Sequence, residues 1–376
     1  MRIAINLLYV RQGEIGGSEI LIYNLVKQLL KNDKENNYIL LVTPNNKNIF
    51  TYEDIPVKYL EFDFGNYTQI KRIFHEQFIL PIKIKKEKID LLVNMGNTGL
   101  IYCPCKLMLT VYDLLYLACP GEYSFIKRLY LRVFVWLSCK QADKIAVISE
   151  NTKRDIVNYL HVKKDKITVV YAGVDFEKFA LTDRNESSEF MRKEYNIRDP
   201  YIYSPTSLFP RKNIKLLIES FVRLKKNKNI PHKLVITGVD PHKRRKLLEK
   251  SIEAIGMKQE IFYLGRIPDK HIPYLYKAAD LMAYLSSYEG FGLPLIEAMA
   301  ADCPVISADK ASLPEALGDA GIMVDPFNIE EVADKMYKLL MDNELRNKLI
   351  KKGSVRSKSF SWEKVAKTYI NSFKEM

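Results

Sequence analysis

Apolar runs of strand length alternate with helical stretches along the whole chain. Twelve such runs are bounded by turn residues, six on each side of a polar segment at 179–200. They lie at 2–8, 38–43, 89–94, 107–112, 144–149, 167–172, 201–205, 233–238, 261–265, 280–286, 304–307 and 321–324. Amphipathic stretches such as 18–32 and 328–353 separate them. This alternation predicts an α/β protein with buried parallel sheets and helices on both sheet faces.

The polar segment at 179–200 divides the pattern into two similar halves. A chain of 376 residues is also longer than one typical domain. We therefore expect two doubly wound, Rossmann-like domains that face a central cleft, at 1–180 and 195–358. In such sheets ligands bind outside the carboxyl ends of the strands.

The net charge of +13 predicts an anionic partner for the protein. Lysine and arginine recur at 70–88, 125–140 and 241–250, and in the first two segments they alternate with apolar and aromatic residues. That pattern is typical of helices at an anionic membrane surface, and equally of solvated helix faces over a core. The third segment favours the solvated face. No nucleic-acid-binding motif is present, so nucleic acid is not an expected partner.

The cellular compartment is predicted from what the sequence lacks. The first residues have no signal-peptide pattern, and no apolar run approaches the ~20 residues that span a bilayer. Five cysteines are present without a CxxC pair. We therefore expect a reduced, cytoplasmic chain without a metal site.

The stretch YEGFGLPLIEAMA at 288–300 is the strongest candidate for chemistry. Glu289 follows a predicted strand, and Glu297 falls in the first turns of the next helix. Gly290 and Gly292 allow a tight turn close to a ligand, and helix N-terminal N–H groups favour an anion. The two carboxylates would then bind two polyol parts of a ligand whose phosphates lie between them. The alternative is an ordinary turn with two solvated acids.

Other strand ends add candidates. Arg211 and Lys212 are expected to open a helix after strand 201–205. Two cations there are unfavourable for the helix dipole unless an anion binds, so a phosphate clamp is favoured over a solvated pair. Asp113 follows strand 107–112, either as a site residue or as a turn acid. Gly16 and Gly17 follow the first strand, but without the GxGxxG pattern that a dehydrogenase would need.

Seven segments in order together resemble the retaining GT-B glycosyltransferases of family 4, which include bacterial mannosyl- and glucosyltransferases. The resemblance covers almost the whole chain and includes segments typical of the O-chain polysaccharide branch. Its strongest part is a pair of glutamates separated by seven residues, Glu289 and Glu297. The similar segments are 15–25, 75–99, 109–117, 148–156 with 169–175, 204–213, 275–326 and 360–369.

The resemblance implies a role for each candidate. The amino-terminal half would receive the acceptor, and the carboxy-terminal half would bind the nucleotide sugar. A closing helix at 359–376 would return to the first domain. Glu289 would contact the donor sugar and Glu297 the ribose, while Arg211 and Lys212 would hold the pyrophosphate. Further donor contacts would come from Gly16, Gly17, Gly290, Phe291, Gly292 and Leu293.

The resemblance also implies a mechanism without a metal ion. No DxD-type pair occurs in the phosphate loops, so Arg211 and Lys212 would take the place of a divalent cation. Glu289 would position the donor rather than act as a nucleophile. Two positions depart from the family pattern. Tyr112 precedes Asp113 where a histidine is usual, and Thr206 stands where many relatives have an arginine.

The expected function is transfer of a sugar, mannose as the first candidate, from a GDP- or UDP-type donor to a glycan acceptor. The acceptor is expected to be lipid-linked and the pathway to be cell-surface polysaccharide synthesis. Such an enzyme would need no further cofactor and would lie in the cytoplasm, peripheral at the inner face of the membrane. The alternatives are a GT-B nucleotide-sugar 2-epimerase and a non-catalytic GT-B binding subunit.

Overall fold

The computed structural model describes residues 1–11, 17–52, 54–65, 68–180, 183–240 and 243–376. The chain forms two compact units. The amino-terminal unit comprises Met1–Gly173 with Trp362–Met376, and the carboxy-terminal unit comprises Val174–Ser361.

The amino-terminal unit is built on a seven-stranded sheet whose paired strands are all parallel. Its spatial order is β3-β2-β1-β4-β5-β6-β7. The strands are β1 (Arg2–Asn6), β2 (Asn37–Val42), β3 (Lys58–Glu61), β4 (Leu91–Asn94), β5 (Lys106–Val111), β6 (Lys144–Val147) and β7 (Ile167–Val169).

Helices follow most of these strands. They are α1 (Gly17–Asn32), α2 (Gln69–Phe74), α3 (Leu80–Lys86), α4 (Leu115–Ala118), α5 (Phe125–Gln141) and α6 (Glu150–Leu160). A π-helical turn, His75–Ile79, joins α2 to α3. The last helix of the chain, α16 (Trp362–Lys374), also belongs to this unit. The Tyr369 hydroxyl of α16 is 2.9 Å from Thr110 Oγ1 of β5.

The carboxy-terminal unit has a six-stranded parallel sheet in the order β10-β9-β8-β11-β12-β13. Its strands are β8 (Tyr201–Pro205), β9 (Lys233–Thr237), β10 (Ile261–Gly265), β11 (Leu281–Tyr284), β12 (Val305–Ala308) and β13 (Ile322–Val324). Its helices are α7 (Phe176–Ala180), α8 (Arg184–Tyr195), α9 (Ile214–Lys228), α10 (Arg245–Ala254), α11 (Ile272–Ala278), α12 (Leu293–Ala300), α13 (Leu313–Leu317), α14 (Ile329–Met341) and α15 (Asn343–Ser357).

The predicted fold class is confirmed: each unit is a doubly wound, Rossmann-like α/β domain. The inner strands consist almost entirely of buried residues because helices cover both sheet faces. In both sheets the strand order reverses beside the first strand. The reversal lies between β1 and β4 in one unit and between β8 and β11 in the other. Ligands of doubly wound sheets bind at this reversal, the topological switch point.

The structure differs from the sequence pattern in three places. Strand β3 was not predicted, because it is a short edge strand with few buried side chains. The stretch 328–353 is two helices, and Asp342 accepts a hydrogen bond from the Leu345 N–H (2.9 Å) at the start of the second. The polar segment at 179–200 contains helix α8, whose Phe190 stacks on Tyr274 (ring centroids 4.3 Å apart).

The limits of the units therefore lie elsewhere than at the polar segment. The chain passes between them at Gly173–Val174 and again at Ser361–Trp362. Val174 pairs with Ser361 as an isolated bridge, and its N–H donates to the Phe360 carbonyl (2.8 Å). Helix α8 belongs to the carboxy-terminal unit because its aromatic residues pack on α11.

Within the described residues, the helices are too short or too polar to cross a bilayer.

Candidate functional site

The sequence-predicted residues of the carboxy-terminal unit converge on its topological switch point. Two loops meet there, one following β8 at 206–213 and one following β11 at 285–292. The Ser287 N–H donates to the Arg211 carbonyl (2.8 Å), which ties the second loop to the first. Candidate residues some 75 positions apart in the sequence are thereby brought together.

Arg211 and Lys212 precede helix α9, and Asn213 lies between Lys212 and the helix. The sequence prediction that the two cations open the helix is therefore corrected. They belong to a short 3-10 turn, Pro210–Lys212. Asn213 then adopts a left-handed conformation (φ 53°) that separates this turn from α9. The Asn213 side-chain amide donates to the Leu285 carbonyl (2.8 Å) and to Ser287 Oγ (2.6 Å). These bonds fix the backbone that presents both cations.

Lys212, Tyr284 and Glu289 form a closed hydrogen-bonded group. The Lys212 side chain is only 8% exposed, and its Nζ donates to the Tyr284 hydroxyl (2.6 Å) and to Glu289 Oε1. The Tyr284 hydroxyl donates in turn to Glu289 Oε1 (2.9 Å). The Ser312 hydroxyl donates to the Glu289 carbonyl (2.8 Å), which holds the loop behind the carboxylate.

The electrostatics of this group keep Glu289 ionised. Burial by itself raises the pKa of Glu289, but the charges of Lys212 and Arg211 outweigh burial and hold that pKa below its usual range. The Arg211 guanidinium lies over the Phe209 ring, 4.7 Å from its centroid. A fixed carboxylate therefore lies beside two fixed cations, an arrangement able to bind both a hydroxyl and a phosphate of one ligand.

The glycine-rich turn after Glu289 leads directly into α12. Gly292 has φ 110°, and a Cβ there would lie 2.7 Å from Leu295 Cδ1 and 2.8 Å from Leu313 Cδ2. Any side chain here is therefore strained by the backbone conformation and would also have to displace the ends of two leucine side chains. The Phe291 ring is buried against Phe360 (centroids 5.5 Å apart), so only its backbone is available for a ligand.

Glu297 lies on α12, in the second turn of that helix. Its Oε2 accepts a hydrogen bond from the Tyr276 hydroxyl (2.9 Å). Burial raises the pKa of Glu297, and the Tyr276 hydrogen bond and the charge of Lys178 offset this only in part. Glu289 and Glu297 thus differ in electrostatics: the first is stabilised as an anion, whereas the second is not.

The remaining candidates belong to the amino-terminal unit. Asp113 follows β5, and its Oδ1 accepts a hydrogen bond from the Leu115 N–H (3.1 Å), as the turn-acid alternative requires. The hydroxyl of the neighbouring Tyr112 donates to the Met95 carbonyl (2.5 Å). Gly17 is the first residue of α1, and Gly16 lies outside the described residues. The roles implied for Asp113, Gly16 and Gly17 stay predictions.

Three residues of the site were missed by the sequence analysis: Tyr284, Asn213 and Ser312. Tyr284 carried a usable signal, because a tyrosine ends a buried strand five residues before Glu289. Asn213 and Ser312 act through hydrogen bonds to the other loop, and no local pattern indicates such partners. Among the described residues, no group of three or more His, Cys, Asp or Glu side chains could hold a metal ion.

Comparisons with known proteins agree with this geometry. The family model of glycosyl transferases group 1 matches residues 187–356, which contain the site. The model of glycosyltransferase family 4 matches residues 15–178.

Two curated relatives and one solved structure illustrate the similarity. The chain is 28% identical to O-antigen chain mannosyltransferase B of Escherichia coli over 265 residues, 70% of this chain and 69% of that protein. It is 27% identical to the serotype-specific mannosyltransferase WbdA of Escherichia coli over 237 residues, 62% of this chain but only 29% of WbdA. Anabaena HepE, solved in complex with UDP and glucose, superimposes with a TM-score of 0.78 at 17% identity, covering 100% of both chains.

The solved structure supports the GT-B fold, and the two family models together span both units. The chain is a glycosyltransferase and belongs to the GT-B glycosyltransferases of family 4.

Proposed function

We propose that this enzyme transfers a hexose, with mannose as the first candidate, from a nucleoside-diphosphate donor to a glycan acceptor in polysaccharide synthesis. The observation that carries the proposal is the Lys212–Tyr284–Glu289 group at the β8/β11 switch point, with Arg211 beside it. Relatives named as O-antigen mannosyltransferases support the choice of sugar and product.

The two cations account for stabilisation of the leaving group. Breaking the bond between the anomeric carbon and the donor oxygen leaves negative charge on the diphosphate. Lys212 is buried and fixed by two hydrogen bonds, so it needs little reorganisation to meet that charge. A bound diphosphate would compete with Glu289 for the Lys212 ammonium. Tyr284 would keep both groups in place during that exchange, since its hydroxyl contacts both.

The carboxylates account for recognition of the donor's polyol parts. Glu289 is ionised, so it can accept hydrogen bonds from sugar hydroxyls. Glu297 uses Oε2 for Tyr276, and its second oxygen can accept from a ribose hydroxyl. A ribonucleotide donor of the GDP or UDP type would satisfy both glutamates at once.

The reaction is proposed to proceed with retention and without a metal ion. The acceptor oxygen forms a bond to the anomeric carbon on the face that the leaving diphosphate vacates. The electron pair of the broken bond goes to the diphosphate oxygen, which takes the acceptor's proton. In this proposal Glu289 holds the sugar by hydrogen bonds rather than attacking the anomeric carbon.

The amino-terminal unit supports an acceptor at a membrane surface. Nine exposed apolar side chains lie on α5 and on the α2–π-turn–α3 segment: Ile70, Phe74, Phe78, Ile82, Phe125, Ile126, Leu129, Val133 and Trp136. We call this set the apolar stripe. Apart from the adjacent pair Phe125 and Ile126, its members follow one another at spacings of three to four residues, which places those of each segment on one helix face. For these nine residues the core alternative is wrong, since Ile70 and Ile126 are both 81% exposed.

The two halves of the apolar stripe are neighbours in the fold. Gln77 Nε2 of the π-helical turn donates to the Gly99 carbonyl (3.1 Å). The Gly99 N–H donates to Ser138 Oγ of α5 (2.9 Å). Exposed lysines and arginines flank the stripe: Lys71, Lys85, Lys86, Lys88, Lys127, Arg132 and Lys140. An exposed apolar face with basic flanks is the surface that binds anionic lipid, so a lipid-linked acceptor is proposed.

A donor screen followed by product analysis tests the proposed function. Donor binding stabilises the fold by about 2.7 kcal/mol at a hundredfold excess over Kd, so GDP-mannose or UDP-glucose should raise the melting temperature. The same donor, incubated with a mannoside acceptor, should yield a product with the donor's anomeric configuration by NMR. An inverted product would refute retention. Interconversion of the donor without transfer would identify an epimerase, and binding without turnover a non-catalytic subunit.

A further inference from the structure

The amino-terminal unit has a polar group at its own switch point. Asn6 ends β1 and Asn94 ends β4, the two strands between which the order reverses. The Asn6 side-chain amide donates to Asn94 Oδ1 (2.7 Å) across this point. In the carboxy-terminal unit the equivalent position, between β8 and β11, holds Lys212 and Glu289.

A buried carboxylate joins this group. Glu76 is 8% exposed, and its Oε1 accepts a hydrogen bond from the Asn6 amide (3.1 Å). Arg72 forms an ion pair with it, with Nε 3.6 Å from Glu76 Oε2. That Nε is buried, and within the described residues it makes no hydrogen bond. The ion pair with Glu76 therefore does not fully use the donors of the guanidinium.

The backbone that carries Glu76 is unusual. It lies on the π-helical turn His75–Ile79, which interrupts an otherwise α-helical segment. π-helical turns are rare and frequently occur at functional sites. The turn begins one residue before Glu76, at the position where the segment approaches the ends of β1 and β4.

The energetics do not favour a purely structural role for the ion pair. Burial raises the pKa of Glu76, and the charge of Arg72 and the Asn6 hydrogen bond offset this only in part. Replacing both partners of a buried ion pair by well-packed apolar residues of similar volume is often neutral or stabilising. Retention of a poorly solvated carboxylate at a ligand-binding edge therefore points to a ligand.

The surroundings indicate the class of ligand. Tyr9 and Tyr112 both donate to the Met95 carbonyl at 2.5 Å, at the same edge of the sheet. Burial raises the pKa of Tyr130, on α5, and the charges of Arg72 and Glu76 also act on it. A carboxylate, a guanidinium and aromatic rings together can bind a polyol by hydrogen bonds and by packing against its C–H face.

We propose that Glu76 and Arg72 at the β1/β4 switch point bind hydroxyl groups of the saccharide acceptor. This inference rests on the proposed function, since it assigns the acceptor side of the same reaction. Glu76 accepts hydrogen bonds from two neighbouring hydroxyls of one sugar ring, and Arg72 donates to a third oxygen. Asn6 and Asn94 act as positioning residues, because they hold Glu76 through a continuous hydrogen-bonded chain.

The test compares two glutamate-to-glutamine substitutions within residues 70–88. Glu76→Gln removes the charge at the switch point. Glu87→Gln is the matched control, because Glu87 pairs with Arg2 (3.3 Å) and Lys58 (2.7 Å) at the opposite, amino-terminal edge of the same sheet. Binding of methyl α-mannoside and α-linked mannobiose is measured without nucleotide by saturation-transfer NMR. Melting with and without GDP-mannose is measured in parallel.

Glu76→Gln should weaken saccharide binding about tenfold or more, the effect of losing one charge-assisted hydrogen bond. It should leave the donor-induced rise in melting temperature unchanged, whatever it does to the melting temperature of the free protein, because removal of one partner of a buried ion pair is itself destabilising. Glu87→Gln should bind saccharide as the wild type does.

Three results would overturn the inference: undiminished saccharide binding by Glu76→Gln, an equal loss in both variants, or no saccharide binding by the wild type. A purely structural ion pair would lower the melting temperature of Glu76→Gln without weakening its saccharide binding. Failure of the wild type to bind GDP-mannose or UDP-glucose would count against the proposed function and not against this inference, because the saccharide measurement needs no donor.

Discussion

At the scale of single residues, the two glutamates of the YEGFGLPLIEAMA stretch have opposite electrostatics. Burial disfavours the charge of both, but only Glu289 has cations close enough to overcome it. The pKa of Glu297 lies above its ordinary value of 4.5. Its contribution to stability is therefore fully present below that value and is lost as the pH rises through the folded-state pKa. At neutral pH an ionised Glu297 costs stability.

Glu297→Gln should accordingly leave the melting temperature of the free protein unchanged or raise it at neutral pH. The difference from wild type should shrink as the pH falls below the ordinary glutamate pKa of about 4.5, where Glu297 is protonated in the folded and the unfolded chain. Donor binding should weaken by about tenfold to a hundredfold, because a hydrogen bond to a charged group contributes about 1.5–3 kcal/mol. Melting curves across the pH range, with and without donor, check both effects. A stability loss that is the same at every pH would refute this reading of Glu297.

The residue scale also shows what the sequence could and could not predict. Glu289, Arg211 and Lys212 could be predicted because they follow recognisable strands, and Glu297 because it falls in the first turns of a recognisable helix. Tyr284 could have been found from its place at the end of a buried strand, but Glu76 could not, because its role depends on Asn6, 70 residues away. Such contacts exist only after the sheet has assembled.

At the scale of elements, apolar periodicity predicted most strands and failed where burial is partial. Strand β3 has exposed residues at both ends, so its sequence lacks the continuous apolar run of the inner strands. Partial burial also limited the prediction for the segments 70–88 and 125–140. Their periodicity indicated amphipathic helices, but it could not say whether the apolar face met a core or solvent. In the structure Val135 of α5 is buried, whereas Ile126 and Trp136 are exposed.

The exposed apolar stripe predicts reversible binding to anionic membranes. Each basic residue near an anionic surface contributes about 1 kcal/mol, so several together suffice. The protein should co-sediment with phosphatidylglycerol vesicles, release with salt as charge is screened over about 10 Å at 0.1 M, and bind neutral vesicles weakly.

Paired serine substitutions separate the stripe from general hydrophobicity. Phe78→Ser with Ile126→Ser should weaken vesicle binding. Val355→Ser should not, although Val355 is 75% exposed, because it lies on α15 of the carboxy-terminal unit. A wild type that ignores anionic vesicles at low salt would contradict the lipid proposal and favour a soluble acceptor.

At the scale of the whole molecule, both units use one plan: a parallel sheet with polar groups where its strand order reverses. The family and the fold follow from matches that span both units. Basic residues have a different proposed role in each unit. In the carboxy-terminal unit they bind the donor phosphates, and in the amino-terminal unit they bind an anionic lipid surface. Each role has its own test, and neither depends on the other.

The clamp predicts that turnover does not require a divalent cation. Arg211 and Lys212 supply the positive charge that a metal ion would otherwise bring to the leaving diphosphate. Activity should therefore survive an excess of EDTA. Loss of activity with EDTA and its recovery with magnesium or manganese would show that the two cations are insufficient.

Turnover of Lys212→Ala measures whether Lys212 stabilises the leaving diphosphate, as proposed above. The matched control is Lys215→Ala, because the Lys215 side chain is 88% exposed on the neighbouring helix and its Nζ lies 3.8 Å from Glu219 Oε1. We predict that Lys212→Ala folds and loses about 10²–10³-fold in kcat, as when a fixed oxyanion donor is removed. Lys215→Ala should retain wild-type turnover. Near-normal kcat in a folded Lys212→Ala protein would contradict the account.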